Sequence, residues 1–228
     1  MKAKLLFLPI LATFVTTANG ALMYTGGHMD APAFGYEIGV GFEPHFHNEG
    51  DEDGAIIDGV RVETESEYEP SEVIVVVPQL SVTTLSSVNY YWLPETEADA
   101  AVNGAPFLGI GLEELGPNDW SNGSVELTLL AIRGPGDFRL WQDDGLGGAN
   151  LFLANAGDSF VLSAGSHTHY NWGFAEIGTY ELDLQLAGTH VIDGLVRGSA
   201  TYTFQVIPEP TTAMLGALGT LALLRRRR

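Results

Sequence analysis

The residues in this sequence best suited to chemistry are histidines and an aspartate, which occur in pairs with one residue between the two members. A β-strand points side chains two positions apart to the same face, about 7 Å from each other, so both can reach one ion. Neutral imidazoles and a carboxylate are typical zinc ligands, although copper, nickel and manganese accept the same set. The candidate metal ligands are His28 and Asp30 in GGHMD, His45 and His47 in PHFH, and His167 and His169 in GSHTHYNWGF.

The stretch GSHTHYNWGF predicts one strand with two chemically different faces. Alternation places His167, His169 and Asn171 on one face, and Asn171 is the weakest ligand candidate of the three. The other face carries the aromatic residues that we expect in the core, namely Tyr170, Trp172 and Phe174. The alternative interpretation is a strand end whose histidines simply face solvent.

Charge and composition restrict the classes of partner. The 228 residues carry a formal net charge of −19, and the basic residues include two lysines near the start and four arginines at the end. So negative a field favours solubility and cations, and it argues against nucleic acid or an anionic membrane surface as the main partner. The absence of cysteine excludes disulfides, thiolate metal sites and cysteine nucleophiles.

The acidic loop NEGDEDG, residues 48–54, imitates the start of an EF-hand calcium loop. Counted from Glu49, the twelfth position is Val60, where an EF-hand needs a bidentate glutamate, and no helices flank the loop. The EF-hand is therefore rejected. An irregular calcium loop stays open as an alternative, less favoured than a solvated acidic turn.

Catalytic motifs are missing from the sequence. It contains no GxSxG, HExxH, P-loop or dinucleotide-binding fingerprint. One enzymatic alternative remains, a metal hydrolase with three histidine ligands, an open coordination position and Glu49 or Glu43 as general base. We predict that the protein is not an enzyme.

Residues 1–20 have the three parts of a secretory signal peptide. Two lysines lead into an apolar run from Leu5 to Val15, and Ala18 and Gly20 place small residues at positions −3 and −1 before Ala21. This order predicts export and cleavage by signal peptidase after Gly20.

The C-terminal segment, residues 208–228, combines a short motif, an apolar stretch and a basic end. Pro208, Glu209 and Pro210 precede the apolar stretch Thr211–Leu224, which is about 21 Å long as a helix, and four arginines follow. The stretch is short for a bilayer core of about 30 Å, and the arginines would stay cytoplasmic. The arrangement resembles the PEP-CTERM sorting signal of Gram-negative bacteria, which implies recognition of the Pro-Glu-Pro motif by an exosortase.

The central part of the chain predicts an all-β fold. Short runs rich in β-branched and aromatic residues recur between turn residues, without an internal repeat or a long linker. This pattern is typical of a single-domain antiparallel β-sandwich, residues 21–207, between an N-terminal signal helix and a C-terminal hydrophobic sorting helix. The predicted strands are Leu22–Thr25, Gly35–His47, Ile56–Val62, Glu72–Val77, Asn89–Leu93, Val125–Ile132, Asp137–Gln142, Leu151–Leu153, Ser159–Leu162, Tyr180–Leu186 and Thr201–Val206, with a short helical turn within Glu95–Asp119.

The order of motifs across this domain resembles a family of bacterial surface-anchored proteins. GGHMD, PHFH, YWLPET, RGPGDFRLW, GSHTHYNWGF, GTYELDL and YTFQV follow one another as in the choice-of-anchor M domain, especially its PEP-CTERM group repressed by the zinc-uptake regulator. The resemblance implies an extracellular β-rich domain that acts when zinc is scarce. The six candidate ligands lie within the matched motifs, whereas His190 lies outside them and is a weaker candidate.

These observations predict an exported bacterial protein at the cell surface or in the extracellular matrix, tethered to the inner membrane only through its tail before processing. It would bind a divalent metal, with zinc preferred, for capture or buffering beside a metal-uptake system or an exopolysaccharide. The alternative is a structural or adhesive matrix protein without a metal role.

Overall fold

The computed structural model describes residues 20–50, 52–79 and 81–207. Nearly all of the predicted signal peptide lies outside these residues. So do Pro208, Glu209 and Pro210 of the predicted sorting motif and the apolar segment that follows them.

The described residues fold mainly into β-strands, which confirms the all-β prediction. One α-helix, α1, spans Glu97–Asn103, and two 3-10 turns span Pro117–Asp119 and Ser121–Gly123. In chain order the strands are β1 (Leu22–Gly26), β2 (His28–Glu37), β3 (Gly41–Asn48), β4 (Ile56–Ile57), β5 (Val60–Arg61), β6 (Ser66–Tyr68), β7 (Val73–Pro78), β8 (Val82–Leu85), β9 (Val88–Leu93), β10 (Phe107–Gly111), β11 (Ser124–Arg133), β12 (Phe138–Asp143), β13 (Ala149–Leu153), β14 (Ser159–Ser163), β15 (His167–His169), β16 (Asn171–Phe174), β17 (Gly178–His190) and β18 (Gly194–Ile207).

Three sheets are formed from these strands. Sheet A has the order β14-β11-β17-β18-β7-β1-β4-β5, sheet B the order β15-β10-β2-β3-β6, and sheet C the order β13-β12-β16-β9-β8. Most pairings are antiparallel, as the sequence predicts. Three pairings are parallel, β1 with β7, β7 with β18, and β2 with β10, so the sheets are not purely antiparallel.

The core lies between sheet A and the other two sheets, in a layered arrangement consistent with a β-sandwich. Phe204 of β18 in sheet A packs on Trp172 and Phe174 of sheet C, with ring centroids 5.5 and 5.1 Å apart. Tyr202 of the same strand packs on Phe46 of sheet B at 5.3 Å. Because these side chains are fully buried, their apolar area is a main source of the fold's stability.

Three predicted strands are divided in the structure, and one of them, Ile56–Val62, forms the two short antiparallel strands β4 and β5. The run Gly35–His47 is a hairpin, in which Ile38 and Val40 are exposed at a turn between β2 and β3. Gly39 takes a φ of 79° at this turn, a conformation that glycine adopts without strain. The alternation of apolar residues in this run therefore does not mark one continuous strand.

The stretch Gly165–Phe174 likewise contributes two strands, β15 in sheet B and β16 in sheet C, with Tyr170 between them. Tyr170 is buried against Phe152 and Phe160, and this contact lies where the chain passes from one sheet to the other. The prediction of a single two-faced strand is therefore wrong, because local alternation does not reveal which partner strand each half will find.

The predicted helical turn is α1, and it leads into a strand that the sequence pattern missed. The Thr96 hydroxyl caps the helix by accepting a hydrogen bond from Asp99 N, and Gly104 ends it in the left-handed conformation. Strand β10 follows, with the composition FLGIG. Within the part of the chain that the structure describes, no helix combines the length and apolar character needed to cross a membrane.

Candidate metal centre

Strand register in sheet B places the candidate ligands on one face. Asp30 of β2 lies opposite Gly109 of β10, which in turn lies opposite His169 of β15, and Gly111 lies opposite His167. Cross-strand neighbours share a face. The intervening residues, such as Met29, Leu108 and Ile110, are buried in the core. Sheet B thus has one apolar face and one face that carries the ligand candidates.

Three ligand atoms from this face form a compact triangle. Nε2 of His28 is 3.3 Å from Nε2 of His167, and Oδ1 of Asp30 is 3.4 Å from the first and 3.0 Å from the second. A tetrahedral zinc ion with bonds of about 2.1 Å holds neighbouring ligand atoms about 3.4 Å apart. The triangle therefore has nearly the dimensions of one face of such a tetrahedron.

His169 provides a fourth donor beside the triangle. One of its ring nitrogens lies within 4.8 Å of ligand nitrogens of His28 and His167. The ring stacks on Phe107, with centroids 3.7 Å apart and an angle of 6° between the planes, so its orientation is restricted. Its Nδ1 is buried without a hydrogen-bond partner. We call His28, Asp30, His167 and His169 the first cluster.

The Asp30 carboxylate is buried, and one of its two oxygens lacks a hydrogen bond of good geometry. The residue is 2% exposed, and its Oδ1 has no partner with hydrogen-bond geometry. A buried ionised carboxylate is costly unless a positive group compensates it. Gly109 and Gly111 make room for this side chain, since a Cβ on Gly109 would lie 2.0 Å from Oδ1 and one on Gly111 would lie 2.8 Å from Oδ2.

The surroundings of the first cluster shift the pKa values of its two β15 histidines in opposite directions. The carboxylates of Asp30 and Glu113 raise the pKa of His167 to about 10. Burial, reinforced by His167 and His28, lowers the pKa of His169 to about 4. Burial also raises the pKa of Asp30, but His167 and His28 outweigh it and hold the value below its ordinary range. Burial therefore favours the neutral form of His169, whereas the two carboxylates favour the protonated form of His167.

Two glutamates surround His167, and neither was a predicted ligand. Glu113 Oε1 is 2.9 Å from Nδ1 of His167, on the side of the ring away from the triangle. Glu49 Oε1 is 3.9 Å from the same nitrogen. A carboxylate at the second ring nitrogen of a ligand histidine orients the ring and raises its basicity. The sequence indicates Glu113 only as part of the acidic pair that follows the glycine-rich strand β10.

The acidic loop contacts the first cluster through its backbone as well as through Glu49. The backbone N–H of His28 donates to the carbonyl of Asp53 at 2.7 Å. A Cβ on Gly27, whose φ is 72°, would lie 2.2 Å from the carbonyl oxygen of Gly54. The loop therefore packs closely against the start of β2 and helps to position His28.

The other two predicted ligands form a separate group with a glutamate. His45 and His47 of β3 meet Glu114, and one ligand atom from each lies within 4.8 Å of the others. We call these three residues the second cluster. All six predicted ligands thus lie in sheet B, but the structure divides them between two clusters.

Asn171, the weakest ligand candidate, has a structural position in sheet C. Its Oδ1 accepts hydrogen bonds from Trp92 Nε1 at 2.6 Å and Glu95 N at 3.0 Å, and its Nδ2 donates to Glu95 Oε2. His190 lies in a different environment from the candidate ligands, because its ring packs against Tyr36 and Trp120. Neither residue belongs to the two clusters.

Replacing Asn171 with alanine is expected to lower the free energy of unfolding by about 1–3 kcal/mol, because two partly buried donors, Trp92 Nε1 and Glu95 N, lose their acceptor. Zinc affinity should stay unchanged. Denaturant unfolding and a zinc titration measure the two effects, with the exposed β13 residue changed in Asn150→Ala as the control. Lost zinc binding with unchanged stability would instead identify Asn171 as a ligand.

Comparison with other proteins adds no further constraint on the site. The chain matches no protein-family model, no curated protein and no solved structure. The resemblances in its sequence motifs therefore stay predictions, and function has to be inferred from the geometry of sheet B.

Proposed function

We propose that this protein binds a divalent metal ion, preferentially zinc, through the first cluster. The observation that carries the proposal is the triangle of His28 Nε2, His167 Nε2 and Asp30 Oδ1, which has edges of 3.0–3.4 Å and includes a buried oxygen without a hydrogen bond of good geometry. His169 supplies the fourth ligand. Three imidazoles and one carboxylate are a donor set that zinc accepts readily.

Binding is favoured over catalysis by the number of protein ligands. Four protein ligands, two each from β2 and β15, would fill a tetrahedral zinc site, whereas a catalytic zinc site keeps one position for water or substrate. The metal hydrolase alternative would need such a position at the first cluster. The function that we infer is therefore capture or buffering of the metal.

The acidic character of the chain supports this role. The net charge is −19, and Glu113 and Glu49 stand at the solvent side of the first cluster. A negative field of this kind raises the local concentration of cations and speeds their association. The calcium alternative is less favoured at the first cluster, because calcium takes oxygen ligands whereas three of the four donors are nitrogens.

The cellular setting follows from the ends of the sequence. We propose export after removal of residues 1–20 by signal peptidase, and sorting by an exosortase through Pro208, Glu209 and Pro210. The domain of residues 21–207 would then be a β-sandwich at the surface of a Gram-negative bacterium, as its resemblance to choice-of-anchor M proteins implies. There it would supply zinc to an uptake system or hold it near an exopolysaccharide.

Metal analysis of the purified protein after equilibration with zinc and dialysis tests the binding itself. We expect about one tightly held zinc ion per chain. A protein that retains no zinc after dialysis, under conditions in which it is folded, would contradict the proposal and favour the structural or adhesive alternative.

Zinc is also expected to raise the melting temperature, because a ligand that binds only the folded state stabilises it. At a free zinc concentration 100 times Kd the gain is about 2.7 kcal/mol. For a domain of this size that corresponds to an increase of roughly 5–11 °C. Differential scanning calorimetry with zinc and with excess chelator measures the shift, and magnesium at the same concentration serves as the control. Equal shifts with both metals would contradict a specific site.

A further inference from the structure

The second cluster has donor geometry of its own. Oε1 of Glu114 is 3.1 Å from Nε2 of His45 and 3.5 Å from Nδ1 of His47. Glu65 Oε1 lies 3.7 Å from the other ring nitrogen of His47. Three donors therefore converge here as well, and a further carboxylate backs one of the imidazoles, as is common around metal-bound histidines.

His45 is buried and already oriented as a ligand would be. Its side chain is 9% exposed, and Nδ1 lies 2.9 Å from the carbonyl oxygen of Glu43. An imidazole that donates from Nδ1 to a carbonyl presents a lone pair at Nε2. That Nε2 is buried without a hydrogen-bond partner, although it points towards Glu114. The Tyr202 hydroxyl contacts the carbonyl of His45 from the core side and holds this part of β3 in place.

A turn directs Glu114 towards the second cluster, and the missing side chain of Gly35 leaves room for it there. Residues 112–115 form a turn in which Leu115 N donates to Leu112 O, so the adjacent Glu113 and Glu114 serve different clusters. Gly35 of β2 leaves the space that Glu114 occupies, since a Cβ there would lie 2.8 Å from Glu114 Oε2. The backbone is thus adapted to this carboxylate as it is to Asp30 in the first cluster.

The second cluster lies at an acidic cleft. The cleft has a volume of about 710 Å³, and its lining includes His45, Glu43, Glu67, Glu69 and Glu114. The four carboxylates attract cations and are not matched by a basic side chain in the lining. The cleft therefore favours the approach of a small cation to Glu114, which lies beside the buried His45 Nε2.

We propose that His45, His47 and Glu114 form a second divalent-cation site, distinct from the first cluster and suited to zinc. No residue is shared between the two sites, so this inference does not depend on the proposed function. Three protein ligands leave one tetrahedral position for water or for a donor from a partner molecule. Because of this open position and the exposure of Glu114, the second site binds more weakly and exchanges its ion faster than the first.

A zinc titration against a chromophoric chelator tests the second site in the purified protein. The parent should bind two zinc ions per chain, one tightly and one at least about 10-fold more weakly. Glu114→Ala should lose the weak ion and keep the tight one. Because Glu114 is exposed, we expect the fold to tolerate the substitution. His45→Ala should give the same result, with circular dichroism to verify folding.

The neighbouring glutamate offers a matched control. Glu113→Ala should weaken the tight site by about 10- to 100-fold, the usual cost of losing a group that orients a ligand, and leave the weak site unchanged. A parent that binds one ion, with Glu114→Ala unaltered, would overturn the second site while the proposed function stands. One ion that survives His167→Ala/His169→Ala but is lost in Glu114→Ala would support the second site and contradict the first.

Discussion

Replacing both His167 and His169 with alanine is expected to weaken zinc binding at the first cluster by more than about 100-fold. Loss of one group that merely orients a ligand costs about 10- to 100-fold, and this double variant removes two of the four ligands themselves. Both side chains are only half-buried in an edge strand, so the fold should survive their truncation. Competition with a high-affinity chelator measures the loss.

His190→Ala is the control for this experiment, because it removes a buried histidine outside both clusters. Nδ1 of His190 accepts from the backbone N–H groups of Ile192 and Asp193, so the substitution should cost stability but leave zinc affinity unchanged. A double variant that binds zinc as tightly as the parent would show that the ion is held elsewhere. The increase in melting temperature with zinc should shrink in the same variant.

Gly109→Ala is expected to reduce zinc affinity at the first cluster by about 100-fold or more, although it replaces no ligand residue. The new Cβ would lie 2.0 Å from Asp30 Oδ1 and 2.7 Å from His167 Nε2, so at least one ligand must leave its position. Overpacking of this kind costs about 1–3 kcal/mol in stability. Isothermal titration calorimetry gives the affinity, and unfolding of the metal-free protein gives the stability.

Gly26→Ala provides the matched control, since it is also a strand glycine changed to alanine. Its Cβ would meet only the flexible end of Ile56, with the nearest atom at 3.3 Å, and Gly26 lies in sheet A. We expect unchanged zinc affinity and a small change in stability. If Gly109→Ala binds zinc as well as Gly26→Ala does, then Asp30 and His167 are not both ligands of the ion.

Much of the first cluster was predictable from residue type and spacing. His28 and Asp30 have the two-residue spacing, although no strand is predicted over this segment, which forms the start of β2. His167 and His169 have the same spacing within a predicted strand, whose period puts both on one face. That inference needs no knowledge of partner strands. The same reasoning applies to the aromatic residues of the core, since Trp172 and Phe174 are buried as expected.

Strand order and register were not predictable in this way. The sequence pattern does not predict the glycine-rich strand β10, yet this strand separates the two ligand-bearing strands and supplies the space at Gly109 and Gly111. Glu113 and Glu114 lie in the turn after it, and nothing local indicates that adjacent glutamates diverge to different histidines. The prediction that Asn171 shares a face with the two histidines is wrong, because the chain passes from sheet B to sheet C at Tyr170 and the alternation does not continue.

By itself, the sequence determined an acidic, cysteine-free, β-rich chain whose histidines occur in same-face pairs, because composition and a two-residue period are local properties. Only the tertiary structure decided which pairs meet. It places His28 and Asp30 beside His167 and His169 across β10, which has glycines at the facing positions. His45 and His47 instead lie beside Glu114. The physical reason is that a metal site depends on distances between strands, and these are set by register, by the packing of three sheets and by where a Cβ is absent.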